Sequence, residues 1–151
     1  MQPERRRRVG IVAAMVPELQ PVVRALGLVP APLPGARAFR GARGSLEIVA
    51  TVTEMGTQAA TAVTTRLLDA APVDHVLVVG ICGGVARDLA IGDLVLPARV
   101  VDETSGCVLR PMPLGGTPRG ILLTSDTLHT APETIARFAA DGVIALDMET
   151  A

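Results

Sequence analysis

VLVVGICGGV, residues 76–85, sets a run of β-branched and aliphatic residues directly before three glycines, Gly80, Gly83 and Gly84. A continuous apolar run of this length reads as a buried strand, here Asp74 to Gly80. Glycines at a strand end let backbone approach something closely, either another piece of chain or a ligand. The Gly-x-x-Gly-Gly spacing is not that of a dinucleotide fingerprint, and no helix clearly opens at Gly84.

Working outward, VGIVAAM (9–15) is a strand-length apolar run. The helix after it carries Pro17 in its first turn, apolar residues at Leu19, Val22, Val23 and Leu26, and a stop at Gly27. VPAPLPGA (29–36) reads as a proline-rich connector. Strands are expected at 37–41 and 46–53, joined by a turn over 41–44. A small-residue helix from Gly56 shows one face of Ala60, Val63, Leu67 and Leu68. On the other side lie strands at 94–101, 107–109 and 121–124, a helix over 131–140, a last apolar strand at 143–148 and the start of a helix at 149–151. Apolar strands alternating with helices predict a three-layer α/β fold, a mainly parallel mixed sheet flanked by helices. Residues 9–151 read as a single domain behind a disordered basic terminus, residues 1–8. Sites in such sheets gather at the carboxyl ends of strands.

Composition removes several classes of function. The net charge is −1, and all 14 basic residues are arginine. A chain this close to neutral has no general grip on nucleic acid phosphates, and with no Trp or Tyr and two Phe it has no aromatic platform for bases. No apolar run approaches the length of a membrane span, and Arg5 to Arg8 lead into a strand-like pattern instead of a signal-peptide core, so the reading is cytoplasmic, with no membrane partner. Cys82 and Cys107 are expected as reduced thiols. With only His75 and His129 to add, they make no metal site, and no cofactor is expected.

Four strand ends carry candidate chemistry. Glu18 follows the first strand, where the helix dipole also favours an acid. Gly56 leads into a helix N-terminus that suits an anion or a hydroxyl. Gly80 to Gly84 serve a tight turn and a ligand floor alike. In ALDMETA (145–151), Asp147 and Glu149 point to one face and Met148 to the other. A strand-end carboxylate beside apolar sequence needs hydroxyl, amide or cationic company, which a sugar supplies.

Together these segments resemble the purine and uridine phosphorylase and nucleosidase superfamily, and within it most of all the methylthioadenosine/S-adenosylhomocysteine nucleosidases. GIVAAMVPE (10–18) is similar to that family's Gly-Ile-Ile-Gly-Ala-Met-Glu-Glu-Glu, EMGTQAA (54–60) to its Gly-Ile-Gly helix start, and GICGG (80–84) to its Gly-Ser-Ala-Gly-Gly. IGDLVLP (91–97) is similar to Val-Gly-Asp-Ile-Val-Val, LLTSDTL (122–128) to the Ser-Gly-Asp-Ala-Phe segment, and ALDMETA to Val-Glu-Met-Glu-Ala. The order of the six agrees from about Val9 to Ala151.

The resemblance implies cleavage of a purine nucleoside's N-glycosidic bond. Glu18 would be the catalytic base that orients water at the anomeric carbon, and Glu149 would accept hydrogen bonds from ribose hydroxyls, strengthening as positive charge develops on the sugar. Met15, Met55 and Met148 would pack against the ribose beside Gly56. Gly80, Ile81, Cys82 and Gly83 would floor the nucleoside, with Ser125 to His129, including Leu128, along the base. The superfamily's phosphorylases place an Arg and a Ser or Thr where this chain has Val78 and Ile81, so the resemblance points to hydrolysis. Arg40, Arg43 or a neighbouring subunit's Arg leaves phosphorolysis open, and a nucleoside-binding module without catalysis is a third reading. Relatives form dimers or larger oligomers, so a homo-oligomer, a dimer, is expected.

Three departures stand out, the first being that the family's nucleosidases also tend to have a hydroxyl residue where Ile81 stands. Leu128 replaces an aromatic that stacks on the purine in relatives, keeping an apolar contact but losing stacking geometry. The family's Ser-Asp motif, whose Asp protonates the leaving base, has no counterpart before Ala151. The reading is therefore of an incomplete domain lacking the C-terminal part, inactive if these residues are the whole chain.

Overall fold

In the computed structural model, which describes residues 6–151, the elements in chain order are β1 (Arg7–Ala13), α1 (Val16–Leu26), β2 (Val29–Ala31), β3 (Ala38–Arg43), β4 (Leu46–Val52), α2 (Thr57–Ala70) and β5 (His75–Val78). They continue with β6 (Gly83–Gly84), β7 (Pro97–Asp102), β8 (Val108–Leu109), β9 (Arg119–Thr124), α3 (Pro132–Ala140) and β10 (Val143–Asp147). The sequence reading takes 9–151 as one domain; the chain divides after Gly80 into two compact units.

The first unit is a five-stranded sheet in the order β2-β3-β4-β1-β5. β1 runs parallel to both β4 and β5, while β2/β3 and β3/β4 are antiparallel. Alternation along β1 and β4 sends Ile11, Ala13, Ile48 and Ala50 to one face, where they pack with Leu19 of α1, and sends Val12 to the other, against Leu67 of α2. Helices on both faces make this unit three-layered. α1 tolerates Pro21, which lacks an N–H for the Pro17 carbonyl, because Val22, Val23 and Leu26 still lie along the packed face.

The second unit is a sheet in the order β6-β10-β9-β7-β8. β10, β9 and β7 run parallel, and β6 and β8 add antiparallel edges. Phe138 of α3 packs with Val85, Leu123 and Val143 on one face. A register shift between Val143 and Ala145 lets the neighbours Ile144 and Ala145 both serve the opposite cluster, with Val100 and Leu122. In the second sheet parallel pairing thus occupies the centre and antiparallel pairing both edges, whereas in the first the parallel pairs β4/β1 and β1/β5 run out to the β5 edge and the antiparallel pairs lie on the β2 side.

Several expectations change. Residues 1–5 of the expected disordered terminus lie outside the described residues, but Arg7 and Arg8 belong to β1. Arg7 pairs with Leu46, and the Arg8 guanidinium donates to Glu47 Oε2 from Nε at 2.9 Å and from its terminal nitrogen at 2.6 Å. The apolar strand expected to be buried is β5, the last strand of its sheet, with Val76 and Val78 exposed at 43% and 40%. The proline-rich connector contains β2, since an edge strand needs only one row of hydrogen bonds. The hairpin turn is Gly44–Ser45, shorter and later than 41–44. Leu68 falls outside the buried face of α2, at 44% exposure, and residues 149–151 are not helical, being too few to close an i to i+4 bond.

Candidate active site

The carboxyl ends of β4, β1 and β5 adjoin because those strands are parallel neighbours, and the loops leaving them carry the first unit's candidates. After β1 the chain turns through Ala14 to Met15, whose extended backbone (φ −126°, ψ 151°) caps α1. Glu18, in the first turn, curls its carboxylate back, and Oε2 accepts a hydrogen bond from the Met15 N–H at 2.8 Å. The loop leaving β5 passes against the same carboxylate. A Cβ at Gly80 would lie 3.2 Å from Glu18 Oε1, closer than ordinary van der Waals contact. Glycine at position 80 is what lets backbone run past the acid.

The loop leaving β4 is pinned to the same edge. The Thr53 N–H donates to the Ala13 carbonyl at 2.8 Å and the Glu54 N–H to the Ala14 carbonyl at 2.9 Å. Glu54 has φ of 70°, which costs a non-glycine residue roughly 1–2 kcal/mol and is sustained by those tethers. Gly56, at φ 96°, caps α2 in a conformation that suits glycine. Met15 and Met55 are exposed at 38% and 63%, so two thioether side chains border the edge that holds Glu18. Thr53 and Glu54 were not legible as site residues, since only the tertiary tether marks them.

The second unit carries the remaining candidates. Gly83 and Gly84 are not a turn: they form β6, which pairs antiparallel with Leu146 and Ala145. Ile81 is 76% exposed. Cys82 is half-buried, and burial, then the Asp147 carboxylate, pushes its thiol above the ordinary value, making it a poor nucleophile near neutrality. At the end of β10, Asp147 is committed to its own unit. Its Oδ1 accepts from the buried Thr124 hydroxyl at 2.7 Å, and its Oδ2 accepts from the Thr150 N–H at 3.1 Å and the Thr150 hydroxyl. Met148 and Glu149 follow half-buried, with Glu149 Oε2 accepting from the Met148 N–H at 3.3 Å.

Leu128 is exposed at 75% on the loop after β9, while the His129 imidazole turns toward its own unit. His129 Nε2 lies 2.8 Å from Glu103 Oε2 and 3.2 Å from Ser125 Oγ, and the ring meets Phe138 edge-on at 5.1 Å. Hydrogen bonds from Ser125 and then His129 hold the Glu103 carboxyl below its ordinary value. Glu103 was not nominated from sequence; an acid ending an apolar strand, in VVDE, was its only signal.

Both arginines considered for a phosphate lie away from Glu18. Arg40 pairs with Val49, in register with Gly10, and Arg43 pairs with Leu46, in register with Arg7. At about 3.3 Å per residue these registers sit about 10 and 20 Å back from Ala13 at the carboxyl end of β1. Arg40 instead lines, with Arg6, Arg8, Leu33 and Leu67, a cavity of about 490 Å³ that contains none of the nominated residues. Among the described residues no group of three or more His, Cys, Asp or Glu could hold a metal ion, and no helix is long and apolar enough to cross a membrane.

A family model described as Phosphorylase superfamily matches residues 8–118. Aminodeoxyfutalosine nucleosidase of Helicobacter pylori is 28% identical over 147 residues, covering 92% of this chain and 64% of its own length. A 5'-methylthioadenosine/S-adenosylhomocysteine nucleosidase of Shewanella frigidimarina is 33% identical over 94 residues, covering 62% of this chain and 41% of its own. This chain therefore spans less than two thirds of either relative. In fold it is similar to a crystal structure of the Helicobacter pylori 5'-methylthioadenosine/S-adenosylhomocysteine nucleosidase, with a TM-score of 0.85 at 21% identity over 97% of this chain and 76% of that one. It is likewise similar to the S-adenosylhomocysteine nucleosidase of Streptococcus pyogenes, with a TM-score of 0.83 at 20% identity, covering 95% of this chain and 74% of that one.

Proposed function

This chain belongs to the phosphorylase superfamily, and from that premise we propose that it carries the nucleoside site of an N-glycosidic hydrolase acting on a purine nucleoside such as methylthioadenosine or S-adenosylhomocysteine. The observation that carries the reading is the Glu18 carboxylate, held by the Met15 N–H at the carboxyl end of β1 with side-chain-free Gly80 against it. A base held this way is positioned in advance, and a positioned base contributes about 10²- to 10⁴-fold to a proton-transfer step.

In this reading Glu18 takes a proton from water as the water attacks the anomeric carbon and the bond to the purine breaks, the departing purine taking its proton from the Asp of the family's Ser-Asp segment, and Glu149 accepts hydrogen bonds from the ribose hydroxyls. Met15, Met55 and Met148 give the sugar apolar contacts, and Leu128 contacts the base. Water is preferred over phosphate because Val78 and Ile81 offer no charge or hydroxyl and Arg40 and Arg43 sit well back along the sheet from Glu18. Each charge-assisted contact missing from a phosphate site forgoes about 1.5–3 kcal/mol. A dimeric assembly and cytoplasmic placement belong to the same proposal.

The test, on a chain that carries these residues together with the family's Ser-Asp segment, is adenine release from methylthioadenosine with and without added phosphate, for the wild type and Glu18→Gln. The account expects methylthioribose at a rate independent of phosphate, lowered about 10²-fold or more in the variant. A sugar 1-phosphate formed only with phosphate would establish phosphorolysis. Binding without turnover would establish a binding module.

A further inference from the structure

The segment after β9 begins on a buried anchor. The Ser125 N–H donates to the Asp147 carbonyl at 3.0 Å, and Ser125 is 3% exposed. Two residues on, the Thr127 N–H donates to Ser125 Oγ at 3.0 Å. The imidazole of His129 then turns back, with Nε2 within reach of both Ser125 Oγ and Glu103 Oε2 and its ring edge-on to Phe138. Glu103 is itself tied to the strand that opens the segment, its backbone N–H donating to the Thr124 carbonyl at 2.9 Å. Between these anchors stands Leu128, three-quarters exposed. A large apolar side chain in solvent usually belongs to a loose loop or to a contact surface, and this loop is fastened at both ends.

A serine, a histidine and an acid invite a nucleophilic reading, which the geometry refuses. A hydrolytic triad places the serine on one imidazole nitrogen and the carboxylate on the other. Here both partners meet the same nitrogen, Nε2. One N–H shared between a carboxylate and a hydroxyl holds a ring still and relays no proton.

We propose that Glu103, acting through His129 and Ser125, is a positioning residue that braces the 125–129 segment so that Leu128 is presented, already fixed, to the base of the nucleoside. This rests on the nucleoside reading above. An aliphatic side chain has no stacking geometry with which to align a base, so its own fixed position has to do so. Ordering the loop in advance removes an entropy cost that binding would otherwise bear.

The experiment compares the wild type with Glu103→Gln, His129→Ala and His129→Gln, whose amide nitrogen reaches the place of Nε2. Leu128 methyl order parameters read the brace without any ligand, and calorimetry with adenine and with methylthioadenosine reads its consequence. Expected are lower Leu128 order and about 10-fold weaker adenine binding in Glu103→Gln and His129→Ala, with both recovered in His129→Gln. Unchanged Leu128 order in the first two variants overturns the brace. Loosened Leu128 with unchanged affinity overturns its role in positioning the base. A wild type that binds neither ligand while the methyl order responds as expected removes the nucleoside reading and leaves the brace as local structure only.

Discussion

Replacing Gly80 with alanine separates a site that needs a bare backbone from a glycine that merely ends a strand. The added Cβ would meet Glu18 Oε1 at 3.2 Å and Cδ at 3.6 Å. The group that must yield is the end of a flexible side chain, and a displacement of a few tenths of an ångström relieves the contact. Gly80 does not have a positive φ, so its backbone accepts alanine. Strain in the Glu18 rotamer costs about 0.5–1.5 kcal/mol, and the lost freedom of the unfolded chain returns about 0.4–1 kcal/mol. Net stability should change by less than about 1 kcal/mol, or a Tm shift within about 4 °C for a chain of this size. The hydrogen bond from the Met15 N–H to Glu18 Oε2 should loosen, raising solvent exchange at that amide by about 5-fold or more. In a chain that also carries the family's Ser-Asp segment, a misplaced base should lower nucleoside turnover by about 10- to 100-fold. Thermal unfolding, amide exchange at Met15 and adenine release are measured on the same preparation. Exchange at Met15 and turnover both within twofold of wild type would refute the reasoning, since Gly80 would then have no bearing on Glu18.

Other consequences can be read in solution. Asp147→Ala should destabilise the chain by about 2–3 kcal/mol in urea unfolding, because it strands the buried Thr124 hydroxyl and releases Thr150. Glu47, Asp102 and Glu103 are each held below their ordinary carboxyl values, by Arg8, by Ser105 and Thr104, and by Ser125 and His129 respectively. Their contribution to stability is present above the unfolded-state values near pH 4 and is lost as the pH falls through the lowered folded values. The urea midpoint should accordingly drop on acidification below about pH 4.5, and Glu103→Gln should flatten part of that drop. Iodoacetamide at neutral pH should label exposed Cys107 well before Cys82, whose thiol is raised by burial and by Asp147, as peptide mass spectrometry would show.

Residues whose role follows from local pattern were legible in the sequence, and residues whose role depends on a distant neighbour were not. Leu19, Val22, Val23 and Leu26 mark α1 because helical spacing is a local property, and Glu18 stands out because the end of β1 and the start of α1 are adjacent in the chain. The run at 76–79 reads as strand, but composition does not say which strands flank it, so the exposure of Val76 and Val78 was missed. β2 was hidden by Pro30, which only an edge position tolerates. The turn at Gly44–Ser45 was blurred by two glycines three residues apart. Glu103 meets His129 across 26 residues of chain, and the tethers from Thr53 and Glu54 reach back to Ala13 and Ala14. Contacts of that range come into being with the sheet and leave no periodic trace.

The most direct measurement is a backbone amide NMR titration of the chain with methylthioadenosine. The account predicts saturable shifts at Met15, Glu18, Met55, Gly56 and Gly80 with one common dissociation constant, lost or strongly weakened in Glu18→Gln. Shifts confined to the Arg6, Arg8 and Arg40 cavity, or no shift at the edge that holds Glu18, would contradict it.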